Sequence, residues 1–523
     1  MKAVHMTTYH LWRLLLTGIF WWILISNIRA QVLPVARFKH YVDTFNLDYP
    51  EHVVNAIDNA HCWQWMTETV PFFECPDKEL EKTYYYRWYT FRKHIKQTPV
   101  GYVITEFLPD VPWAGKYNTI SAPVGHHFYE GRWLRNRQYL NDYAVFWFRH
   151  GGAIRNYSGW IADAIYQYYL VAANKQLLTS LLLDVVANYE KWETANRDST
   201  GLFWQLDVRD GMEESIGGNG YRPTINSYMY GDARAIARMA ELTSQKDLEP
   251  TYRYKANRLK QLIQQQLWNS NDHFFKVLPK EQAATLVGVR ELLGYVPWYF
   301  NLPDSSYSTA WTYLMDSTCF RAPYGPATAE QTHRRFLYEH RRVCQWNGYS
   351  WPFATSQTLT ALSNLLNNYQ QAYVTKTDFM HLLTTYSQTQ RIQLPGGRVV
   401  PWIDESLDPF TGDWFTRRHL IVRNAPDKNR GEHYNHSTFN DLVISGLIGI
   451  RPEEGNRLVI NPLIPAGQWA YFCLDQVNYK GNLLTVLFDK TGKKYGRGKG
   501  LMILKNGRKI ASVSSLRKIT VML

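Results

Sequence analysis

Two acidic loops, far apart in the chain, contain the side chains best suited to catalysis. The first loop, residues 207–218, contains four carboxylates: Asp207, Asp210, Glu213 and Glu214. The second loop, residues 401–414, places Glu405 between Trp402 and Trp414. Crowding and burial would raise the pKa of one carboxyl, as a general acid requires. Hydrolysis of a glycosidic bond needs one protonated and one ionised carboxyl group, so the two loops indicate a pair of this kind.

Aromatic side chains surround these carboxylates. The chain contains 20 Trp, 36 Tyr and 23 Phe, or 15% aromatic residues. Most will form the core, but flat rings with a polar edge also suit the apolar face and hydroxyl rim of a sugar. The segment 345–353, which precedes a predicted helix, contains two tryptophans. The predicted walls of the sugar subsites are Trp204, Trp346, Trp351 and Trp402.

Polar side chains near the loops are candidates for substrate binding. These candidates are Asp210, Arg222, Tyr228, His126, His127, Glu432 and His433. His433 and His436 stand three residues apart, but no further ligand motif accompanies them, so we predict neither a metal site nor a cofactor.

The N-terminus has the pattern of an export signal. Lys2 and Arg13 precede the apolar run 14–26, which is short for a membrane span, and Ala30 suits the last position before cleavage. We predict a cleaved signal peptide over residues 1–30, a secreted or periplasmic protein, and no stable membrane insertion after cleavage.

The distribution of charge restricts the expected partners. The net charge is +13, but Lys and Arg are scattered and no nucleic-acid motif accompanies them, so no nucleic-acid partner is expected. A carbohydrate substrate is the expected partner.

The five cysteines are widely spaced, so no disulfide can be assigned and buried thiols are favoured. Nothing in the sequence indicates the oligomeric state.

Hydrophobic periodicity predicts a mainly helical domain followed by a small C-terminal domain like a β-sandwich or β-cap. Periodic segments between residues 50 and 450 predict about a dozen helices, which is what six helical hairpins need, although an irregular all-α domain has the same pattern. The predicted helices lie near 78–97, 136–149, 156–173, 178–194, 225–244, 249–268, 305–316, 329–341, 352–369, 373–388 and 436–449. The long connections, rich in Gly, Pro and Trp, are typical of functional loops. After Arg451 short strands follow, with a hairpin signal at Asn506-Gly507. The expected domains are 31–450 and 451–523.

Three segments resemble motifs of glycoside hydrolase family 63 and mannosylglycerate-hydrolase-like enzymes. Residues 211–215 (GMEES), followed by an Asn-Ser-Tyr helix start, resemble their Gly-Met-Asp-Asn-Ser loop. Residues 346–353 resemble their Trp-Arg-Gly-Pro-Val-Trp-Pro segment. Residues 405–412 resemble their Glu-x-x-Asn-Pro-x-x-Gly loop. The terminal β-region is similar to the cap of many six-hairpin glycosidases.

The resemblance implies an (α/α)₆ toroid and an inverting mechanism. Glu213 falls on the general acid of the family and Glu405 on its general base, with the carboxyl groups roughly 6.5–9.5 Å apart to admit water. Glu replaces the family's Asp at position 213, which keeps Asp210 and Glu214 as rival acids. Asn347 departs from the family's Arg.

Two other functions remain open at this stage. A polysaccharide lyase acting on an acidic glycan would use Tyr, His and Arg, for which the candidates are Tyr228, Tyr434, His433, His126 and Arg222. A non-catalytic glycan-binding protein is the second alternative, because of the substitution at the acid position.

Overall fold

The computed structural model describes residues 31–281, 285–339 and 342–523. The predicted signal peptide, residues 1–30, lies outside the described residues. Helices predominate up to residue 450 and antiparallel strands after it. The α-helices are α1 (Lys39–Asp48), α2 (Cys62–Thr69), α3 (Lys78–His94), α4 (Val124–Gly131), α5 (Gln138–Arg149), α6 (Ile161–Ala172), α7 (Lys175–Asn196), α8 (Pro223–Leu242), α9 (Leu248–Gln266), α10 (Val296–Tyr299), α11 (Pro352–Asn368), α12 (Lys376–Thr389) and α13 (Phe415–Val422).

Local sequence signals explain where several of these helices begin. Asp77 caps α3 by accepting a hydrogen bond from a backbone N–H of its first turn. Thr375 and Asp378 form a capping box at the start of α12. Pro223 and Pro352 occupy the first turns of α8 and α11, where a missing N–H costs no helical hydrogen bond. Helix α8 therefore starts soon after the loop 207–218, and helix α11 starts at the end of the aromatic segment 345–353.

The helices close into a ring. Around the ring, α3 packs on α12, α12 on α11, α11 on α10, α10 on α8, α8 on α6 and α6 on α4. Phe91 of α3 lies beside Gly131 of α4 and completes the circle. Nearly all residues of α3, α4, α8 and α11 are buried, as expected for helices enclosed on every side. The predicted (α/α)₆ toroid is confirmed.

Most predicted helices are present, with three differences among the described residues. The helix predicted over 329–341 is wrong: residues 331–337 form turns, and Glu330 binds Arg290 of a neighbouring loop instead. The segment predicted as a helix over 305–316 is a 3₁₀ helix, Ser305–Tyr313. The last predicted helix, 436–449, contains a π-helix at Leu442–Leu447. Helices α1, α2, α4, α10 and α13 were not predicted, because they are short or lack a clear apolar period.

Short strands accompany the helices, and longer ones follow them. The strands are β1 (Phe72–Glu74), β2 (Ile95–Thr98), β3 (Gly101–Ile104), β4 (Trp268–Asn269), β5 (Phe274–Phe275), β6 (Arg321–Ala322), β7 (Gly325–Pro326), β8 (Arg391–Gln393), β9 (Val399–Pro401), β10 (Ile450–Pro452), β11 (Arg457–Ile460), β12 (Tyr471–Tyr479), β13 (Asn482–Asp489), β14 (Gly500–Lys505), β15 (Arg508–Val513) and β16 (Ile519–Met522).

The C-terminal region forms an antiparallel sheet that includes a strand from the helical region. Its order is β1-β12-β13-β14-β15, and β10, β11 and β16 form a second, three-stranded sheet. Phe72 of β1 lies opposite Asp475 of β12. Asn506 and Gly507 both have positive φ, as a type I′ turn requires, so the predicted hairpin is confirmed. The sheet therefore joins residues on both sides of the predicted boundary at 450.

Two further observations concern the whole described chain. In the described ranges, no helix combines the length and apolar character that crossing a bilayer would need. All five cysteines lie within the described part and are free thiols.

Candidate active site

A cavity of about 270 Å³ lies at the end of the toroid where α4, α8 and α11 begin. We call it the central cavity. Its polar lining consists of Glu106, Tyr157, Glu213, Cys344, Glu405, Arg430, Tyr434 and His436. Its aromatic lining consists of Phe107, Trp113, Trp346, Trp351 and Phe353. Both predicted catalytic carboxyls, Glu213 and Glu405, therefore line one cavity.

The loop that presents Glu213 is held at its base and along its length. An antiparallel bridge between Gln205 and Gly220 closes it. The backbone N–H groups of Ile216 and Gly217 donate to the buried carboxyl of Glu291, at 2.8 and 3.0 Å. These contacts fix the loop without using the side chain of Glu213, which is left to line the cavity.

The surroundings of Glu213 change its protonation. Its side chain is half-buried. Burial, followed by the charges of Asp207 and Glu405, raises the pKa of Glu213 to about 7. A carboxyl group with such a pKa is largely protonated in mildly acidic solution and can donate its proton.

The two rival acids occupy different positions. Asp210 accepts a hydrogen bond from Arg222 Nε at 2.7 Å, and both side chains are completely buried. Thr224 Oγ1 also donates to Asp210. Glu214 lies 3.3 Å from Nε of Arg342. Neither Asp210 nor Glu214 lines the central cavity. Asp210 and Arg222, predicted to bind substrate, form instead a brace under the loop 207–218, which we call the acid loop.

Glu405 lies deep in the cavity as half of an ion pair. It is 1% exposed. Arg430 donates from Nε to Oε1 at 2.8 Å and from Nη2 to Oε2 at 3.4 Å. The Cys344 thiol lies 3.5 Å from Oε2. Asp404 Oδ1 accepts the backbone N–H of Glu405 at 2.8 Å, which orients the peptide. The ion pair presents an oriented carboxylate to the cavity.

The aromatic segment 345–353 joins the two acidic loops. The N–H of Trp346 donates to the carbonyl of Glu213 at 3.0 Å. Ser350 and Leu407 exchange two backbone hydrogen bonds of 2.9 Å. The rings of Trp346 and Trp351 stack with their centroids 4.5 Å apart and line the cavity. One segment thus sets the positions of both carboxyl-bearing loops and supplies a wall between them.

A third carboxyl, Glu106, lines the cavity and was missed by sequence reasoning. It is 5% exposed and accepts a hydrogen bond from the Tyr434 hydroxyl. Burial is the main cause that raises the pKa of Glu106 to about 8, and the charges of Glu405 and Glu213 add to it. Glu106 and Arg430 are isolated charged residues in irregular segments, where no spacing pattern marks them. The crowding of carboxyls in one small cavity identifies them instead.

Four predicted aromatic or histidine ligands lie outside the cavity. Trp204 packs under Lys280 Nζ, 3.7 Å from the ring centroid. Trp402 donates from Nε1 to Asp404 at 3.3 Å. His126 packs edge-on against Phe353, with ring centroids 4.5 Å apart. His127 Nε2 donates to the Asn435 carbonyl at 2.7 Å. The central cavity is lined by Trp346 and Trp351 but by none of these four residues.

Three predicted polar ligands also lie elsewhere. Tyr228 is buried, and its hydroxyl accepts a hydrogen bond from Gln357 at 2.8 Å. Tyr86 contacts His433 Nδ1 at 3.1 Å, and Glu432 lies 3.9 Å from Nε2 of the same ring. Neither His433, Glu432 nor Tyr228 lines the cavity. The candidate lyase residues are therefore not brought together, because Tyr434 lines the cavity while Tyr228, His433, His126 and Arg222 do not.

A helical toroid with two carboxyl-bearing loops around an aromatic cavity defines the class of six-hairpin glycosidases. Residues 116–437, more than half of the chain and including both loops, match the family model of the mannosylglycerate hydrolase MGH1-like glycoside hydrolase domain. The chain belongs to this family. Residues 450–511 match the C-terminal domain of glycosyl hydrolase family 65.

Solved structures show the same fold. A protein described as a sialidase is 43% identical, with a TM-score of 0.88 over 94% of this chain. The match corresponds to 45% of the length of that protein, so this chain spans about half of it. A GH63 mannosylglycerate hydrolase from Thermus thermophilus in complex with glucose is 11% identical, with a TM-score of 0.50, over 69% of this chain and 98% of its own. An α-L-rhamnosidase from Streptomyces avermitilis is 15% identical, with a TM-score of 0.51, over 84% of this chain and 38% of its own.

Proposed function

We propose that this protein hydrolyses a glycosidic bond by an inverting mechanism, with Glu213 as general acid and Glu405 as general base. The observation that supports this most directly is the placement of both carboxyls in one aromatic-lined cavity, in two different environments. Glu213 has a pKa raised to about 7, whereas Glu405 is paired with Arg430. Two carboxyls in such different environments can take different roles, one as the acid and the other as the base.

In the proposed reaction, Glu213 donates its proton to the oxygen of the scissile bond as the bond to the anomeric carbon breaks. Glu405 takes a proton from a water molecule, whose oxygen bonds to the anomeric carbon from the opposite face. The products are the free alcohol and a sugar of inverted configuration. The protein ends with the proton moved from Glu213 to Glu405, and exchange with solvent restores both groups.

The size of the cavity supports a small substrate-binding subsite. Ligand cavities range from roughly 300 to 1,000 Å³, and the central cavity has about 270 Å³. The central cavity lies at the lower limit of this range, which suits a small ligand. The parallel rings of Trp346 and Trp351 offer an apolar surface of the kind that the face of a sugar packs against.

The experiment that tests the proposal follows the anomer formed first. The purified chain is incubated with a panel of glycosides, and the products are observed by proton NMR before mutarotation. We expect new reducing ends of inverted configuration. Retention of configuration would contradict the mechanism, an unsaturated product absorbing in the ultraviolet would favour a lyase, and binding without turnover would favour a glycan-binding protein.

We also propose that the protein is exported and loses residues 1–30. The charged start, the apolar run 14–26 and Ala30 support this proposal. N-terminal sequencing of the protein recovered from the native host should begin at Gln31. A mature protein that retains the apolar run would contradict cleavage.

A further inference from the structure

We propose that one edge of the five-stranded sheet binds an anionic polysaccharide, a polymer whose sugars carry carboxylate or sulfate groups. This edge, which we call the basic edge, consists of residues 490–518 and comprises β14, β15 and the segments beside them. The site is separate from the central cavity, and the proposal does not depend on whether the protein hydrolyses a glycoside.

The excess of positive charge in the chain is confined to this region. Lys and Arg occur throughout, but residues 31–489 contain 45 of them together with 45 Asp or Glu. Residues 490–523 contain ten Lys or Arg and no Asp or Glu, and all ten lie on the basic edge. Because the rest of this part of the chain is balanced, an approaching polyanion is attracted to the basic edge.

The sheet gathers the ten cations at the two ends of β14. The loop 490–499 leads into β14, and the segment 514–518 leaves β15 at the same end, because Leu501 lies opposite Val513. This end carries Lys490, Lys493, Lys494, Arg497, Lys499, Arg517 and Lys518. The hairpin at the opposite end carries Lys505, Arg508 and Lys509. The two ends are roughly 17 Å apart along the strand, a distance that a polymer chain can span.

The charges of these side chains are available to a partner. Nine of the ten residues are exposed, and Lys505 is half-buried. Within the described part of the chain, Lys494 is the one member that forms an ion pair, with Glu74 at 3.0 Å. Charges act over about 8 Å at physiological ionic strength, so neighbouring cations of the loop 490–499 reinforce one another.

The loop 490–499 is held in a fixed conformation by a buried carboxylate. Asp489 is 1% exposed, and its Oδ1 accepts the backbone N–H groups of Thr491 and Gly492 at 3.0 and 2.7 Å. Its Oδ2 accepts the N–H of Tyr495 at 3.1 Å. These contacts use backbone groups and leave the Lys and Arg side chains exposed. An ordered loop loses less conformational entropy when a ligand binds.

The composition of the basic edge favours a polysaccharide over other polyanions. Single-stranded nucleic acids stack on exposed aromatic rings, but the one aromatic residue of this region, Tyr495, is half-buried. Insertion into a membrane needs an apolar face, and the large exposed apolar residues here are Ile510 and Met522. Seven of the ten cations are Lys, which binds as a point charge without fixed geometry. A polysaccharide is also a polymer that a member of a glycoside hydrolase family meets.

The basic edge lies away from the central cavity. Lys518 lines a second cavity, of about 520 Å³, together with Asn364 and Asn368 from the last turns of α11. Phe353, at the start of α11, lines the central cavity. An α-helix rises 1.5 Å per residue, so Phe353 and Asn368 are roughly 22 Å apart. A polysaccharide on the basic edge would therefore anchor the protein without filling the central cavity.

Polysaccharides that share a backbone and differ in charge test the proposal. Fluorescent dextran sulfate and dextran form one pair, and polygalacturonate and its methyl ester form the other. Each is titrated with the purified full chain at about 150 mM NaCl, and binding is measured by fluorescence anisotropy. We expect the charged member of at least one pair to bind roughly tenfold or more tightly than its neutral partner, and to weaken by a similar factor when the salt is raised about threefold.

Two variants of equal net charge locate the site. The loop variant carries Lys490→Gln, Lys493→Gln, Arg497→Gln and Lys499→Gln. The control variant replaces four exposed cations on or beside α7 and α9, as Lys175→Gln, Lys191→Gln, Lys246→Gln and Arg258→Gln. We expect the loop variant to bind the charged polysaccharide roughly tenfold or more weakly, because it loses four of the ten clustered charges. The control variant should bind within about twofold of the unsubstituted protein, and both should keep their melting temperature.

Several results would overturn the proposal. Equal binding of the charged and neutral members in both pairs would exclude an anionic ligand, and equal losses in the two variants would exclude the basic edge as its site. Tighter binding of duplex DNA, or of phosphatidylserine vesicles, than of either charged polysaccharide would assign the edge to that partner. Lys on an edge strand also prevents aggregation, so a loop variant that aggregates but still binds would assign the charges to this protective role.

Discussion

At the scale of single residues, the proposed chemistry depends on Glu213 more than on its neighbours in the acid loop. Glu213→Gln removes the proton donor but leaves the backbone contacts of the loop in place. General acid catalysis contributes roughly 10²- to 10⁴-fold, so we expect kcat to fall by about that factor with little change in melting temperature. Steady-state kinetics and thermal unfolding measure the two effects.

Glu214→Gln is the matched control for this substitution. Glu214 lies next in the chain but pairs with Arg342 instead of lining the cavity. We expect its kcat to stay within a few-fold of the unsubstituted protein. A larger loss in Glu214→Gln than in Glu213→Gln would transfer the role of acid to Glu214.

The raised pKa of Glu213 also predicts the pH dependence of activity. A general acid works while it holds its proton, and burial with nearby negative charge raises the pKa of Glu213 to about 7. The protonated fraction therefore falls as the pH rises through about 7, and kcat/KM should fall with it, approaching tenfold for each further pH unit. A pH–rate profile on an aryl glycoside measures this limb. A profile that stays flat well above neutral pH would contradict a proton donated by Glu213.

At the scale of elements, the buried pair of Asp210 and Arg222 braces the acid loop against the start of α8. Asp210→Asn leaves the completely buried Arg222 without its counter-charge. Breaking such a pair costs about 3–5 kcal/mol, so we expect a large fall in the free energy of unfolding, measured by denaturant titration. Activity should fall with folding stability and recover under stabilising conditions.

The exposed ion pair of α8 provides the control for the buried one. Glu241→Gln breaks the pair with Arg238, whose side chains are both about half-exposed. Pairs of this kind contribute at most about 1 kcal/mol. If Asp210→Asn costs no more than Glu241→Gln, the brace is not what holds the loop.

A substitution in the aromatic segment 345–353 should disturb both acidic loops together. Gly348 lies within it at φ +137°, and a Cβ there would meet the ring of Phe336 at 2.7 Å. Backbone strain of this kind costs about 1–3 kcal/mol before the clash is relieved. We expect Gly348→Ala to lower both stability and kcat, because the segment hydrogen-bonds to Glu213 and to Leu407. Gly288→Ala, at an exposed glycine where a Cβ meets nothing within 4 Å, should change neither.

At the scale of the whole molecule, the β-region belongs to the same folded body as the helices. Strand β1, at Phe72–Glu74, pairs with β12 at the edge of the five-stranded sheet. A chain that ends at residue 450 would leave β1 unpaired and expose apolar core, so we expect it to be insoluble or to melt at a much lower temperature. Solubility and thermal unfolding test this.

A chain that ends at Val513 is the control for this truncation. It loses the short strand β16 but keeps the five-stranded sheet. It should stay folded with a modestly lower melting temperature. A cooperative, fully stable fragment ending at residue 450 would show instead that the helical region folds independently.

The sequence by itself was sufficient for features with a local physical cause. Periodic apolar positions predicted the long helices, because one face of each must be buried. Asn506-Gly507 predicted the hairpin, because those residues adopt positive φ at little cost. The loops of Glu213 and Glu405 were identified from clustered carboxyls beside aromatic residues and from their resemblance to a family motif. Short helices such as α4 were missed, because eight residues span too few turns to show a period.

The tertiary structure alone decided which of the candidate side chains share a cavity. Glu106 and Arg430 are distant in sequence from Glu213, yet closure of the ring brings all three to one end of the toroid, beside Glu405. The same closure directs Tyr228, His127 and His433 into the packed core. Spacing along the chain cannot distinguish these outcomes, because the direction in which a side chain points and its burial both depend on helix packing between remote segments. The difference between Glu213 and Asp210 has the same origin: they share a loop, but one lines the cavity and the other neutralises a buried arginine.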